Sequence, residues 1–265
     1  NPGTILFFRM GDFYELFHED AEIGSSVLGL ALTSRDKNAE KPIPMAGFSW
    51  HQLEENLRVM LRSGYKVTVA EQEEELREGA KLLERVVTRI YTPGSLYEES
   101  LIGSDSSALL CSLVQTNESV AAAMIDASTG QAWAVAFSGD ERWASIHDEI
   151  LRWNPSELVL TPKDSESNEV LQLLGMLDSI VVSQHHVQPK RASKRLKDML
   201  EVNDLGHLDL GQSPEALQAT ALAADYLASV HRHDDIAIRD VEIQETSEGM
   251  VLDQTTLRNL EITHT

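Results

Sequence analysis

Three short apolar runs, Ala108 to Val114, Val120 to Ile125 and Ala132 to Phe137, follow one another with little room between them. Thr116-Asn117-Glu118 and Ser128-Thr129-Gly130 separate them, and residues of these types favour tight turns. Runs this short, joined this closely, predict antiparallel strands linked as hairpins. The rhythm then changes. A helical pattern near Trp143 to Arg152, an apolar run from Leu158 to Thr161, a second helical pattern from Val170 to Leu177 and a run from Ile180 to Val182 alternate as parallel strands joined by helices do. A meander that continues into such units leaves few architectures open, all of them α/β with a mixed sheet.

The first hundred residues also alternate between strand and helix patterns. Ile5 to Phe8 is a continuous apolar run that reads as a buried strand. It leads into Arg9-Met10-Gly11-Asp12-Phe13-Tyr14-Glu15-Leu16-Phe17, which opens a helical pattern with Leu16, Ile23 and Val27 on one stripe and Phe17, Ala21 and Leu28 beside it. Gly11 supplies a permissive backbone for the strand-to-helix turn, and Asp12 a good N-cap. Phe13 is then the first helical residue and Glu15 the third. Two readings of this turn compete. In one, Asp12 and Glu15 form a capping box and Phe13 packs inward. In the other, Phe13 projects as an apolar wedge with Glu15 close behind as a hydrogen-bond acceptor. Phenylalanine wedges between base steps are a device of proteins that kink DNA from the minor groove.

Further along, Leu28 to Thr33 reads as a short strand. Ser34 to Lys41 reads as an exposed loop whose Arg35, Lys37 and Lys41 could contact phosphates. Pro42 to Gly47 is too rich in proline for a central strand. Ser49 and Gln52 form a second capping-box signature before a helix with Leu53, Leu57, Met60 and Leu61 on one face, ended by Gly64. Val67 and Val69 belong to a strand, and Glu71 to Glu84 to an acidic, helix-prone run. Val86 to Tyr91 is another strand, with Arg85 and Arg89 on the alternate face. Thr92-Pro93-Gly94-Ser95 punctuates the pattern, and Leu96 to Ser107 reads as a linker between domains.

A chain of 265 residues is long enough for two separate cores. No apolar run approaches the roughly 18 residues needed to span a bilayer, and no signal-peptide pattern opens the chain. The single cysteine, Cys111, has no partner for an internal disulfide, which fits a reducing, cytoplasmic compartment. The chain begins at Asn1 without Met and ends within a helical motif, so a fragment is expected. A net charge of −21 argues against a conventional nucleic-acid binder, since duplex DNA is itself polyanionic. The first 100 residues nevertheless carry 11 Lys+Arg against 17 Asp+Glu, so most of the excess lies beyond them. What DNA meets is the local footprint rather than the sum. Weak duplex binding is expected of the isolated chain.

Residues 9–17 resemble the opening of the mismatch-binding domain of the MutS family, whose Phe-x-Glu motif is met here by Phe13, Tyr14 and Glu15. Pro42-Ile43-Pro44-Met45-Ala46-Gly47 resembles the family's next block and Thr92-Pro93-Gly94 the block that closes its first domain. Leu252-Asp253 with Arg258-Asn259-Leu260-Glu261-Ile262 resembles the start of its central core. The resemblance implies an α/β fold in parts: a mixed-sheet mismatch-recognition domain over 1–95, a linker over 96–107, a ribonuclease H-like connector domain over 108–232, and the first piece of a helical core over 233–265. A three-strand meander followed by parallel units is the strand order of ribonuclease H-like folds, so this agrees with the pattern of the second half.

By the same resemblance, Phe13 would stack on a mispaired or unpaired base and Glu15 would hydrogen-bond it. Met10, Gly11, Asp12, Pro44 and Met45 are expected to lie against the DNA. The implied partners are mismatched double-stranded DNA, a second MutS subunit held through segments outside this chain, and a downstream repair protein of MutL type on the connector; no membrane is implied. Full-length relatives carry an ATPase domain further along. These 265 residues hold no Gly-x-x-x-x-Gly-Lys-Ser/Thr loop, so no ATP hydrolysis and no cofactor is expected here, ATP and Mg²⁺ belonging to that other domain.

Several features have local explanations. Nucleases with this type of fold gather carboxylates around two Mg²⁺ ions, the first on the opening strand. The run from Ala108 to Val114 has none, and Asp126 reads as a cap of the turn before Gly130. His185-His186, His207 and His231-Arg232-His233 lack metal-site spacing and read as surface histidines. Lys190, Arg191, Lys194, Arg195 and Lys197 form the densest basic cluster, at the start and flank of a helix expected from Ser193 onward; it could touch DNA or a partner protein, or simply offset an acidic chain. Ser213-Pro214-Glu215 opens the clearest helix, with Ala216, Ala219, Ala223, Leu227 and Val230 at steps of three and four. Ile236 to Ile243 alternates like a strand.

Overall fold

A computed structural model describes residues 3–34, 41–72, 85–102, 108–177, 180–205, 213–231 and 237–243. The chain divides into two compact units. The first comprises Asn1–Ser104 with Val230–His233, and the second Asp105–Ser229 with Asp234–Thr265.

The first unit is a six-stranded mixed sheet. Its strands are β1 (Ile5–Met10), β2 (Phe13–Phe17), β3 (Thr33–Ser34), β4 (Pro44–Ser49), β5 (Val67–Gln72) and β6 (Arg85–Tyr91), ordered β3-β4-β2-β1-β5-β6. Only β1 and β5 run parallel. Helices α1 (Glu19–Leu28) and α2 (Leu53–Arg62) supply Ala21, Leu57, Met60 and Leu61 to a core with Phe7, Tyr14, Leu16, Ala46, Phe48, Val67 and Val69. Phe7 and Phe48 meet edge to face at 4.9 Å.

Here the structure departs from the sequence pattern. Phe13 to Phe17 is a strand, not a helix start, and pairs antiparallel with β1 and with β4. Asp12 therefore caps nothing, and no Asp12–Glu15 capping box forms. The helix begins six residues later, at Glu19, after His18 at φ 56. The expected strand from Leu28 to Thr33 is reduced to the pair Thr33–Ser34, because Gly29 ends α1 in the left-handed region at φ 68. Conversely, β4 is paired on both sides despite its proline. Pro44 is tolerated because it is the first residue of the strand. Ser49 makes no side-chain cap bond; a 3-10 turn, Trp50–Gln52, leads into α2 instead. Glu71 and Gln72 close β5, and the rest of the acidic run, 73–84, lies outside the described residues, as do Arg35 and Lys37.

The stretch after β6 is built into this unit as far as it is described. Thr92-Pro93-Gly94-Ser95 is a buried turn closed by Ser95 N donating to Thr92 O at 3.1 Å. Leu96 and Leu101 are buried, and the short α3 (Glu99–Ile102) accepts from the Arg58 guanidinium at Ser100 O, at 2.7 Å. Arg89 is buried and ion-paired with Glu98, its guanidinium 4.4 Å from the Tyr91 ring and 4.5 Å from the Tyr97 ring. His231, expected at the surface, is 1% exposed and bonds through Nε2 to Ser95 O at 2.7 Å.

The second unit follows the expected order. Strands β7 (Leu109–Gln115), β8 (Ser119–Asp126) and β9 (Gln131–Ser138) form the meander, and α4 (Arg142–Trp153) crosses to β10 (Glu157–Leu160), parallel to β7. Then come α5 (Pro162–Ser165), α6 (Asn168–Met176), β11 (Val181–Gln184), α7 (Pro189–Met199) and α8 (Pro214–His231). Strand β12 (Asp240–Ile243) pairs parallel with β9 and completes the order β11-β10-β7-β8-β9-β12. The boundary expected at 232/233 therefore falls before the last strand of this sheet. The helix at Leu252 to Ile262, with His207 and His233, lies outside the described residues.

One face of this sheet packs Cys111, Leu113, Ala122, Met124 and Val135 against Ile146, Ile150 and Trp153 of α4 and Val170 and Leu173 of α6. On the other face, Ser112 Oγ donates to Ala219 O of α8 at 2.7 Å. That close approach is what the alanine stripe allows: Ala216, Ala219 and Ala223 are fully buried opposite small strand residues such as Ala121 and Ala123. Asp126 caps the β8–β9 turn, its Oδ1 accepting from Ser128 N at 2.9 Å and Ser128 Oγ at 2.6 Å.

Candidate nucleic-acid interface

Two residues, Gly11 and Asp12, connect β1 to β2, so the hairpin is as tight as hairpins become. Gly11 has φ 59, and Asp12 is not in the left-handed region. A positive φ at the first central position alone is the pattern of II′ turns, which favour glycine there. Trp50 N donates to Asp12 O at 3.0 Å and so ties the tip to the end of β4. Arg9 braces it from behind: its Nε donates to Gly11 O, and its guanidinium lies 5.3 Å from the Tyr14 ring and 5.1 Å from the Trp50 ring.

Strand periodicity then sorts the motif into two faces. Tyr14 and Leu16 are 2% and 0% exposed and point into the helix-covered core. The Tyr14 hydroxyl donates to Glu71, and burial together with that carboxylate raises its pKa well above the usual tyrosine value. Phe13, Glu15 and Phe17 take the opposite face, and Phe13 is 53% exposed. Cross-strand partners share a face. Met10 is opposite Phe13, Phe8 opposite Glu15, and on β4 Ser49, Gly47 and Met45 are opposite Phe13, Glu15 and Phe17.

Glu15 is the polar residue set in this half-exposed apolar row. Its Oε2 is enclosed and accepts no hydrogen bond among the described residues. Gly47 makes the space beside it: a Cβ there would lie 3.7 Å from Glu15 Cγ and 3.0 Å from Tyr14 O. The result is an exposed aromatic at a rigid tip with an unsatisfied carboxylate oxygen one position behind it on the same face.

Of the residues expected against DNA, the hairpin assembles Met10, Gly11, Asp12, Phe13 and Glu15. Met45 shares their face but is opposite Phe17, about 13 Å along the strand from Phe13 at the rise of an extended chain. Pro44, by alternation, belongs to the opposite, helix-covered side with Ala46 and Phe48, and pairs with Ser34. Phe8, Phe17 and the 42%-exposed Trp50 are additions to the expected set. Their signal in the sequence is the alternation Phe13-Glu15-Phe17, which has meaning only once the segment is known to be a strand.

Among the described residues there is no group of three or more His, Cys, Asp or Glu able to hold a metal ion, and no helix long and apolar enough to cross a membrane. Cys111 is fully buried, which pushes its thiol pKa up. His185, also expected at the surface, bonds through Nε2 to the buried Asp225 at 2.9 Å.

The chain resembles known proteins over nearly its full length. The family model for MutS domain I matches residues 1–100, and that for MutS domain II matches residues 108–239. The DNA mismatch repair protein MutS of Nitratidesulfovibrio vulgaris (strain DP4) is 33% identical over 266 residues, covering 99% of this chain and 29% of that protein. The protein of the same name from Syntrophomonas wolfei subsp. wolfei is 32% identical over 265 residues, covering 99% of this chain and 31% of its own length. The chain thus spans about three-tenths of the length of these curated relatives.

Proposed function

The chain belongs to the MutS family, and we propose that it reads mispaired or unpaired bases in duplex DNA as the DNA-sensing part of a mismatch repair protein. The observation that carries this reading is Phe13, 53% exposed at the tip of a braced hairpin while its sequence neighbour Tyr14 is wholly buried. Leaving a large aromatic in water at a rigid tip gains nothing for folding. Inserted between base steps from the minor groove, it gains stacking and holds a kink.

Glu15 gives the wedge its selectivity. Its carboxylate, half-exposed on this face, accepts a hydrogen bond from a displaced base N–H. A base that has left its pair offers its Watson–Crick N–H groups for that bond. Discrimination follows from deformability, because a mismatched step costs less to unstack than a paired one, by about a few kcal/mol. The apolar row of Met10, Phe8, Phe17 and Met45 provides the water-excluding surround, and the Gly11-Asp12 turn lets backbone approach the groove.

In this reading a second MutS subunit completes the grip on the duplex, and ATP with Mg²⁺ acts in a domain outside these residues. The second unit serves as a docking platform for a MutL-type partner. Support for that comes from Leu171 and Met176 on α6, two large apolar side chains that are 52% and 56% exposed. Leu171→Asp should weaken partner binding and leave mismatch binding unchanged.

The deciding experiment compares a duplex carrying a G·T pair or a single-base loop with its paired control at fixed salt, in the dimeric full-length protein carrying this sequence. Wild type should prefer the mismatch, and Phe13→Ala should lose the preference while melting at the same temperature. Equal binding of both duplexes by folded wild type would refute the proposal.

A further inference from the structure

Helix α7 carries five cations, Lys190, Arg191, Lys194, Arg195 and Lys197, against one carboxylate, Asp198, in a chain whose net charge is −21. The helix sorts these cations by type. Its arginines turn toward Asp225 on α8, with Arg195 Nε at 3.0 Å and Arg191 Nε at 3.9 Å from Oδ1. Its apolar side, Ala192 and Leu196, is buried. Lys190, Lys194 and Lys197 recur at i, i+4 and i+7 and so share the remaining face. Together with Ser193 they line an open groove of about 450 Å³. Asp198 stands on the flank between that face and the arginines.

The three lysines make no ion pair or hydrogen bond among the described residues, although carboxylates outnumber cations almost two to one in the chain. Concentrated, unpaired ammonium groups over about 10 Å of helix call for a ligand whose negative charge is itself repeated along a line. We propose that the lysine face of α7 holds the phosphodiester backbone of duplex DNA, independently of sequence. The inference rests on the reading that this chain is a DNA-binding protein, and adds a phosphate grip that the hairpin does not supply.

The chemistry of the face favours phosphate over an acidic protein. Protein interfaces are depleted in Lys and rely on aromatic or Arg anchors in pockets. This face presents no aromatic or aliphatic anchor, and of the two arginines beside it Arg195 lies 3.0 Å from Asp225. Phosphates, in contrast, are held by ammonium groups and hydroxyls without apolar anchoring, and Ser193 supplies a hydroxyl among the lysines. Lysine on its flexible stem adapts as a point charge to successive phosphates.

The test uses this 265-residue chain and a fluorescent, fully paired duplex, titrated by anisotropy across a series of NaCl concentrations. The variant replaces Lys190, Lys194 and Lys197 together by Gln, and Lys163→Gln on α5 is the control for removing a charge elsewhere. The triple variant should bind at least about tenfold more weakly at low salt and should flatten the plot of log affinity against log salt by about 2 to 3, close to 0.9 for each phosphate no longer neutralised. Lys163→Gln should match wild type.

An unchanged slope in a triple variant that melts like wild type overturns the proposal, as does a wild-type chain with no measurable duplex binding at low salt. Loss of binding to polyglutamate with DNA binding intact also overturns it and assigns the face to an acidic protein. If the triple variant lost its cooperative melt, Lys194→Gln alone carries the test, with a slope change of about 1. The hairpin reading is judged separately: Phe13→Ala changes mismatch preference at constant slope. Failure of that preference leaves the slope result standing.

Discussion

Phe13 and Tyr14 are bonded neighbours on one strand, yet the first is 53% exposed and the second 2%. Tyr14 lies 5.6 Å from the Phe48 ring and donates its hydroxyl to Glu71. Tyr14→Ala should therefore cost about 3–5 kcal/mol, the usual loss for truncating a buried aromatic. Phe13→Ala should change stability by no more than about 0.5 kcal/mol. Urea unfolding of the two variants measures both, and a Phe13→Ala loss equal to that of Tyr14→Ala would show that Phe13 is a core residue.

Under the proposed function, Glu15→Gln keeps an acceptor and removes a negative charge that would face the phosphates of bound DNA. A unit charge about 4 Å from another is worth about 1 kcal/mol even at the dielectric constant of water. Affinity for a fully paired duplex should rise, roughly fivefold, and the ratio of mismatch to paired affinity should fall. Dissociation constants for both duplexes at one salt concentration decide it. An unchanged ratio removes Glu15 from the recognition step.

Burial raises the pKa of the Tyr14 hydroxyl, with Glu71 adding to it; burial also raises that of Tyr91, and complete burial raises that of the Cys111 thiol. The unfolded chain releases these protons near their ordinary values, about 8.5 for Cys and about 10 for Tyr, while the folded chain retains them. Above those values the unfolded state binds fewer protons, so stability falls as pH rises. The contribution of these three groups should be constant below about pH 8 and decline above about pH 9. Thermal melts across that range should show Tyr14→Phe declining less steeply than wild type. A parallel decline would mean Tyr14 titrates alike in both states.

Asp225 gathers His185, Arg195 and Arg191 around one buried carboxylate. Asp225→Ala strands those groups and should cost about 2–3 kcal/mol, below the value for a fully enclosed pair because Arg195 retains 28% of its side-chain exposure. Urea unfolding followed through the second unit checks it. A loss under about 0.5 kcal/mol would mark the cluster as a surface network.

Gly130 has φ 74, and a Cβ there would sit 2.7 Å from Ala237 O. Gly130→Ala should destabilise by about 2 kcal/mol, from the left-handed backbone and the displaced β9–β12 connection together. A neutral result in the same unfolding assay would mean that the segment around Ala237 shifts freely.

The elements legible in the sequence are those whose signals are local. β7, β8 and β9 are each bounded by their own turn residues, and α8 carries its cap at Ser213 and its alanine stripe within 18 residues. β2 is not legible, because Phe13-Tyr14-Glu15-Leu16-Phe17 satisfies helical and strand spacing about equally. Its state is set by partners outside it, Met10 on one side and Ser49 on the other. His231 reads as a surface residue for the same reason: its bond to Ser95 O spans 136 residues of chain.

The candidate site divides along the same line. The amino-acid sequence alone determined the family, the presence of Phe13 and Glu15, the α/β class and the meander of the second unit, because motif identity and turn chemistry are properties of short segments. Only the tertiary structure decided that the motif is a hairpin. From that followed the opposite faces of Phe13 and Tyr14, the row joining Glu15 to Phe8, Phe17 and Met45, and the separation of α7 into paired arginines and unpaired lysines. Strand pairing and burial are made between distant segments, and no local pattern encodes which of two equally good spacings the rest of the chain will stabilise.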